Sequence, residues 1–277
     1  MEKAIDYTQR LLRGGARPQK SLGQNFLIDD NVIEQIVLAS KLEADTLLVE
    51  IGPGLGILTR VLAKQVSKMW AVELDGKKIG ILQRELKGLP VEIINRDALK
   101  LDLADLWGER KGYLIGNLPY YITSPLIMHF LNQSNYLTGM TIMVQEEVAD
   151  RLAAGVGGKE YGVLSVAVQI EAEVEKLIKV PAEAFWPRPK VNSALVRLQF
   201  RSYPGIIDKN SFMKIVKAGF SQRRKTLANS LAAGLQLSKE FVSLRLLELG
   251  IDDKRRAETI SIEEFIRLTD VLCRFVK

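Results

Sequence analysis

The chain has 277 residues, of which 47% are hydrophobic, a mean hydropathy near zero and a net charge of +6. This composition suits one large globular domain with a smaller one, and no apolar run approaches the roughly 18 residues that a membrane span needs. The single cysteine excludes an intramolecular disulfide, and the single histidine argues against a zinc site or a histidine-dependent hydrolase. The N-terminus lacks the apolar core of a signal peptide, which predicts a cytoplasmic protein.

Short apolar runs alternate with helical patterns from Thr46 to about Phe200. The predicted strands are 46–52, 68–74, 91–97, 111–117 and 139–145, and the predicted helices are 57–66, 77–87, 124–133 and 146–155. This alternation predicts a mostly parallel sheet with helices on both faces. Two later runs, 171–181 and 193–200, follow without long intervening helices, so we expect two further strands, the last pair antiparallel.

The pattern becomes entirely helical after residue 203. The predicted helices there are 210–220, 225–235, 239–250 and 261–276, the last opening with a capping box of Ser261 and Glu264. Residues 204–277 hold 14 lysines and arginines against 9 acidic residues, whereas residues 1–203 hold 25 against 24. We therefore predict a domain over 1–203 and a small helical domain over 204–277. Its basic charge indicates a nucleic acid partner or, alternatively, a solvated basic face.

A glycine-rich turn joins the first strand of the predicted sheet to its helix. Gly52, Gly54 and Gly56 follow the G-x-G-x-G spacing, which differs from the dinucleotide G-x-G-x-x-G. Glu73 ends the second strand, where a carboxylate can accept both hydroxyls of a ribose, and Asp97 ends the third, where it can accept from an adenine amino group. This order of residues predicts an adenosine pocket at the carboxyl edge of the sheet.

The fourth strand ends in an amide, a proline and aromatic rings. If the cofactor is S-adenosylmethionine, the enzyme has mainly to position a nucleophile, and positioning can contribute roughly 7–11 kcal/mol. The Asn117 amide oxygen and the Leu118 carbonyl can accept both hydrogens of an adenine N6. Pro119 stiffens the turn, and Tyr120 can stack on the base. The stretch is therefore predicted to hold an adenine N6 in front of a methyl donor.

Several motifs together resemble the ribosomal RNA adenine N6,N6-dimethyltransferases, and in particular their small-subunit (16S) branch. They include QKSLGQNFLID, VEIGPGLG, GNLPYYITSPL, AFWPRPKVNSALV and FSQRRKTLANSL, and the resemblance covers about residues 17–275. It implies a Rossmann-like, S-adenosylmethionine-dependent methyltransferase fold with a seven-stranded, mostly parallel sheet and a small helical C-terminal domain. It also implies that two adjacent adenines in the 3′-terminal hairpin loop of 16S rRNA are each methylated twice on N6. The expected partner is the immature 30S subunit, the protein is expected to act as a monomer, and no metal is expected.

The resemblance also implies roles for individual residues. Asn25 and Leu27, within an N-terminal segment of residues 1–30, match positions that close over the cofactor. Gly52, Gly54, Glu73, Asp97 and Asn117 match cofactor contacts, and Phe185 matches an aromatic residue that stacks on the target base opposite Tyr120. Glu50 is expected to help hold the glycine turn. Tyr121 departs from the asparagine that many relatives carry after this motif.

Cations that face phosphates are expected in two places. Arg223, Arg224 and Lys225 lie at the start of a predicted helix, where the helix dipole disfavours positive charge, and a solvated basic turn is the alternative. Arg188 and Lys190 are further candidates. Three other functions remain open at this point: a 23S rRNA dimethyltransferase of the macrolide-resistance type, a DNA adenine methyltransferase, and a non-catalytic assembly or transcription factor on the same fold.

Overall fold

The predicted strands form one seven-stranded sheet in the computed structural model, which describes residues 2–206 and 208–275 and, at Lys20, only the backbone. The strands in chain order are β1 Phe26–Leu27, β2 Leu47–Ile51, β3 Lys68–Glu73, β4 Val91–Asn95, β5 Gly112–Asn117, β6 Leu137–Gln145, β7 Ala172–Val180, β8 Phe185–Trp186 and β9 Ser193–Phe200. The helices are α1 Ala4–Arg13, α2 Asp30–Ser40, α3 Thr59–Leu62, α4 Gly76–Glu85, α5 Leu103–Trp107, α6 Thr123–Leu131, α7 Glu146–Ala153, α8 Val163–Gln169, α9 Lys209–Gly219, α10 Leu227–Leu235, α11 Lys239–Glu248 and α12 Ile262–Leu272.

The sheet has the order β4-β3-β2-β5-β6-β9-β7. Strands β2 to β6 pair in parallel, and β9 runs antiparallel to β6. The central strand β2 is buried along its whole length, as its continuous apolar run predicts for a strand covered on both faces. The Rossmann-like class, with a mostly parallel sheet and a helical C-terminal region, is therefore confirmed.

Two compact units divide the chain. The sheet unit comprises residues 2–149 and Glu173–Phe200, and the helical unit comprises Asp150–Ala172 and the described residues from Arg201 onward. The prediction kept residues 150–172 in the first domain, whereas in the structure they join the helical unit. The physical reason is the apolar face of α8, because Val166 and Ile170 are buried in the same core as α9, α10 and α12.

The helical unit contains the four predicted helices. The capping box of α12 is present, since the Ser261 hydroxyl accepts from the Glu264 backbone N–H while the Glu264 carboxylate accepts from the Ser261 N–H. The α-helix ends at Leu272 and is followed by a 3₁₀ turn over Cys273–Phe275, so it is shorter than predicted; the predicted end at residue 276 lies outside the described residues. In the part of the chain that the structure describes, no helix combines the length and the apolar character that a bilayer crossing requires.

The two-stranded sheet of β1 and β8 was not predicted from the sequence. It pairs Phe26 with Trp186 and Leu27 with Phe185. Strands of two residues leave no periodic pattern to detect. This small sheet matters for function because it holds the GQNFL segment at the edge of the cleft described next.

Candidate active site

The carboxyl ends of β2, β3 and β5, together with the turn after β4, border one cleft within the sheet unit. The cleft is concave and partly open to solvent, and it lies at the carboxyl edge of the sheet, where open α/β sheets bind their ligands. All the predicted cofactor-binding residues and all but one of the predicted catalytic residues line it, namely Asn25, Leu27, Gly52, Gly54, Glu73, Asp97, Asn117, Leu118, Pro119 and Tyr120.

The glycine turn bends sharply into this cleft. Gly52, Gly54 and Gly56 have φ angles of 71°, 59° and 83°, which residues other than glycine rarely adopt. At Gly54 a Cβ would also lie 3.2 Å from the Phe26 ring, so a side chain there would crowd that ring as well. The turn thus presents bare backbone to the cleft, with the Phe26 ring packed closely on one side.

Glu73 is 4% exposed, and both of its carboxylate oxygens are held by backbone donors. Oε2 accepts from the Gly54 N–H at 3.1 Å, and Oε1 accepts from the Asp75 N–H at 2.8 Å. Burial raises the pKa of Glu73, and the two N–H groups oppose that rise. Because a carboxylate offers about four lone-pair sites, each oxygen of Glu73 can still accept another hydrogen bond.

Glu50, on β2 two residues before Gly52, also belongs to the cleft lining and is 2% exposed. Its Oε2 atom is buried and has no hydrogen-bond partner within the described residues. Burial, reinforced by the nearby Glu73 carboxylate, raises the pKa of Glu50 to about 8. At neutral pH this residue of the cleft lining is therefore largely protonated.

Asp97 and Asn117 are each restrained on one side. Asp97 Oδ1 accepts from the Leu99 N–H at 2.9 Å, as the cap of a short 3₁₀ turn. The Asn117 side-chain Nδ2 donates to the Asn25 carbonyl at 3.0 Å. That bond fixes the orientation of the amide, so its Oδ1 is left as an acceptor at the carboxyl end of β5.

The turn after Asn117 is fixed by further contacts. The Leu118 N–H donates to the Met143 carbonyl at 3.1 Å, and the Tyr120 hydroxyl shares a 2.6 Å hydrogen bond with Ser193 Oγ on β9. Burial raises the pKa of Tyr120 above its ordinary value. The Tyr120 ring is therefore neutral and held in place beside Asn117.

Phe185 does not lie where the sequence predicted. Its ring is 2% exposed, belongs to the hydrophobic core and is not part of the cleft lining. The reason is its place in β8, where it pairs with Leu27 of β1 and packs into the same hydrophobic core. The next residue, Trp186, is 40% exposed.

The N-terminal segment is attached to the cleft wall by residues that sequence reasoning missed. The Tyr7 hydroxyl donates to the Leu55 carbonyl in the glycine turn at 2.9 Å. Asp75 accepts from Gln19 Nε2 at 2.9 Å and forms a buried ion pair with Lys78 at 2.5 Å. The available signal was Lys78 itself, a charged residue on the otherwise apolar face of α4.

The predicted phosphate-binding cations are exposed. Arg223, Arg224 and Lys225 lie in the turn before α10, which begins only after the N-cap Thr226, and no acidic partner for them is found among the described residues. In the sheet unit, Lys190 is exposed, and Arg188 forms an ion pair with Glu183 at 2.5 Å in which both side chains are mostly solvated. Such an exposed pair contributes little and can be exchanged for another anion.

The chain is similar to known proteins in both sequence and structure. The family model described as ribosomal RNA adenine dimethylase matches residues 15–273. The chain is 60% identical over 275 residues to a ribosomal RNA small subunit methyltransferase A of Desulfitobacterium hafniense (strain DSM 10664 / DCB-2), and the match covers 99% of either protein.

Two solved structures are similar over 90% of this chain. One is a dimethyladenosine transferase from Plasmodium falciparum, with a TM-score of 0.79, 23% identity and 98% of that chain covered. The other is the 23S rRNA methyltransferase ErmE, with a TM-score of 0.70, 26% identity and 100% of that chain covered.

Proposed function

The chain belongs to the ribosomal RNA adenine dimethylase family, and we propose that it methylates the small-subunit rRNA. The reaction transfers methyl groups to N6 of two adjacent adenines in the 3′-terminal hairpin loop of 16S rRNA, giving N6,N6-dimethyladenosines. The 60% identity to a small-subunit methyltransferase over nearly the full length supports this choice over a 23S rRNA target, for which the similar structure is 26% identical.

The observation that carries the proposal is the fixed amide of Asn117. Because Nδ2 is bound to the Asn25 carbonyl, Oδ1 is the atom left to accept a hydrogen from an adenine N6. The N6 lone pair is delocalised into the ring, so hydrogen bonds from N6 to Asn117 and to the Leu118 carbonyl favour a pyramidal nitrogen. The restrained Tyr120 ring supplies a face on which the base can stack.

The methyl donor is S-adenosylmethionine, which supplies a methyl group activated by a sulfonium. The cleft fits such a ligand, because Glu50 offers a buried polar atom without a partner and the glycine turn offers bare backbone. We assign Glu73 to the ribose hydroxyls, through its remaining lone pairs, and Asp97 Oδ2 to the adenine amino group. The positions of Asn25, Leu27, Gly52 and Gly54 in the lining support their role as cofactor contacts.

No strong general base is needed beside N6. The N6 proton becomes acidic only after the methyl group has been transferred, and it can then leave to water. The chain's own contribution is therefore to orient the nitrogen and to hold the base. The single histidine, His129 on α6, is hydrogen-bonded to the Leu101 carbonyl and has no part in this scheme.

We assign the RNA backbone to the exposed cations. Arg223, Arg224 and Lys225 in the helical unit, with Lys190 and Arg188 in the sheet unit, would bind phosphates and make binding depend steeply on salt. We further infer that the protein acts in the cytoplasm as a monomer on the immature 30S subunit.

The test is to incubate the protein with labelled S-adenosylmethionine and unmethylated 30S or 50S particles, followed by nucleoside analysis and primer extension. The expected result is N6,N6-dimethyladenosine at two adjacent positions near the 3′ end of 16S rRNA. Label in 23S rRNA would identify the resistance-type activity instead. No label in either particle would favour a non-catalytic assembly factor. Sedimentation of the enzyme alone and with particles of increasing maturity would test the monomer and the immature subunit.

A further inference from the structure

The cleft contains one solvent-exposed aromatic ring that the proposed mechanism does not use. Of the aromatic side chains that line it, Phe26 is 5% exposed and Tyr120 is held by Ser193, whereas Tyr121 is 55% exposed. An exposed aromatic ring at the mouth of a site that takes a base needs a physical account, because burial cannot explain it.

One edge of the Tyr121 ring is restrained by the N-terminal segment. Gly23 has a φ of 58°, and a Cβ at that position would lie 3.2 Å from Tyr121 Cδ1. Glycine therefore allows the backbone of the segment to lie directly against the ring. Within the described part of the chain the Tyr121 hydroxyl has no hydrogen-bond partner, so the phenol oxygen does not support the fold.

The geometry points to Tyr121 as the platform for the base next to the one being methylated, an inference that rests on the proposed function. Only one adenine N6 at a time can lie at Asn117, so its neighbour in an adjacent pair must remain at the mouth of the cleft. The Tyr121 ring lies on the same 3₁₀ turn as Tyr120, one residue further on, and is open to solvent there. Aromatic rings bind unpaired bases by stacking without reading their hydrogen-bonding edges. Tyr121 thereby holds whichever adenine is waiting.

A stacking role predicts that Tyr121 affects the binding of the 30S particle and does not affect the methyl-transfer step. With unmethylated 30S particles, Tyr121→Asn should raise KM about tenfold while kcat and the Kd for S-adenosylmethionine stay within about twofold of wild type. Tyr121→Phe and Tyr121→Trp should restore the KM, because stacking needs the ring and not the hydroxyl. The matched control is Tyr136→Asn, since Tyr136 precedes β6 at the opposite edge of the same sheet and its replacement should leave KM unchanged.

The substrate offers an independent readout. In particles reconstituted with 16S rRNA in which one of the two adenines is uridine, the KM penalty of Tyr121→Asn should shrink to about threefold, because pyrimidines stack less well. An unchanged KM in Tyr121→Asn, an equal loss in Tyr121→Phe, or a full penalty on the uridine particles would overturn the inference.

Weakened S-adenosylmethionine binding or a lower Tm in Tyr121→Asn would also overturn it, by showing a role in the cofactor site or the fold. If wild type modifies the particle and Tyr121→Asn behaves identically, only this inference fails; if wild type modifies no adenine, the proposed function itself fails.

Discussion

Polar groups in the cleft of the sheet unit are held in place, whereas the exposed cations of the turn before α10 have no acidic partner among the described residues. Glu73 binds two backbone N–H groups, Asn117 binds the Asn25 carbonyl, and the Tyr120 hydroxyl binds Ser193. In contrast, Arg223 and Arg224 extend into solvent with no acidic partner among the described residues. The two regions therefore use polar side chains in opposite ways.

This difference follows from what each region has to do. Methyl transfer depends on placing reacting atoms to within a fraction of an ångström, and a side chain can be placed so well only by partners that hold it beforehand. Attraction to phosphates acts over longer distances and tolerates mobile side chains. Fixing the cleft is costly, as the raised pKa values of the buried Glu50 and Glu73 indicate. The cost supports assigning the chemistry to this region.

The largest effect is expected at Asn117. Replacing it with alanine removes the N6 acceptor and the bond to Asn25, so kcat should fall roughly 100- to 1000-fold while 30S binding is retained. Transfer of label from S-adenosylmethionine and filter binding of 30S particles measure the two quantities separately. The matched control is Asn135→Ala, which removes an exposed amide from the same unit and should have no effect. A variant N117A that keeps kcat within about tenfold of wild type would contradict the proposed role.

The next largest effect is expected at Glu73. Alanine there leaves the Gly54 and Asp75 N–H groups without their acceptor, and each buried unpaired donor costs about 1–3 kcal/mol. The Kd for S-adenosylmethionine, measured by calorimetry, should rise about 100-fold, and Glu73→Gln should be less affected because it keeps one oxygen. Glu34→Ala, which removes an exposed glutamate from α2, is the control. Equal Kd values for E73A and E34A would contradict the assignment of Glu73 to the cofactor site.

The fold was largely predictable because its signals are local and repeated. The buried runs of β2, β3 and β5 and the helices between them gave the parallel sheet, and Ser261 gave the start of α12. The grouping of residues 150–172 was missed because it depends on which core α8 joins. That choice is a matter of tertiary packing, which the period of a helix does not reveal.

The candidate site was predictable where function places a residue at a strand end. Gly52, Glu73 and Asn117 all occupy such positions and line the cleft. The burial of Phe185 was not predicted, because it depends on a core that β8 builds with residues distant in sequence, such as Leu27. Partners such as Ser193 for Tyr120 were missed for the same reason.

A smaller effect is expected in the pH dependence of stability. Burial raises the pKa of Glu50 to about 8, above its value in the unfolded chain. The folded state therefore keeps a proton that the unfolded state loses, and stability falls as pH rises towards 8. Glu50→Gln has no proton to lose, so its free energy of unfolding should gain about 2 kcal/mol relative to wild type between about pH 6 and pH 7.5.

Denaturant unfolding at several pH values measures this difference. Glu43→Gln is the matched control, because it removes an exposed carboxylate that water already solvates. If wild type and E50Q lose stability in parallel over this range, Glu50 is ionised in the folded protein. The free-energy cost of burying polar groups in the cleft would then come from residues other than Glu50.

The smallest effect is expected in the helical unit, where single side chains act independently. Arg224→Ala should weaken binding to unmethylated 30S particles only several-fold at low salt and should reduce the slope of log K against log salt by about one. Because the cation does not orient the reacting nitrogen, kcat at saturating 30S should stay at the wild-type value. Lys254→Ala removes another exposed cation of the same unit as a control and should leave the slope unchanged. Equal slopes for R224A and K254A would mean that the cations of the turn before α10 are only solvated. A fall in kcat for R224A would show that the helical unit also positions the adenine.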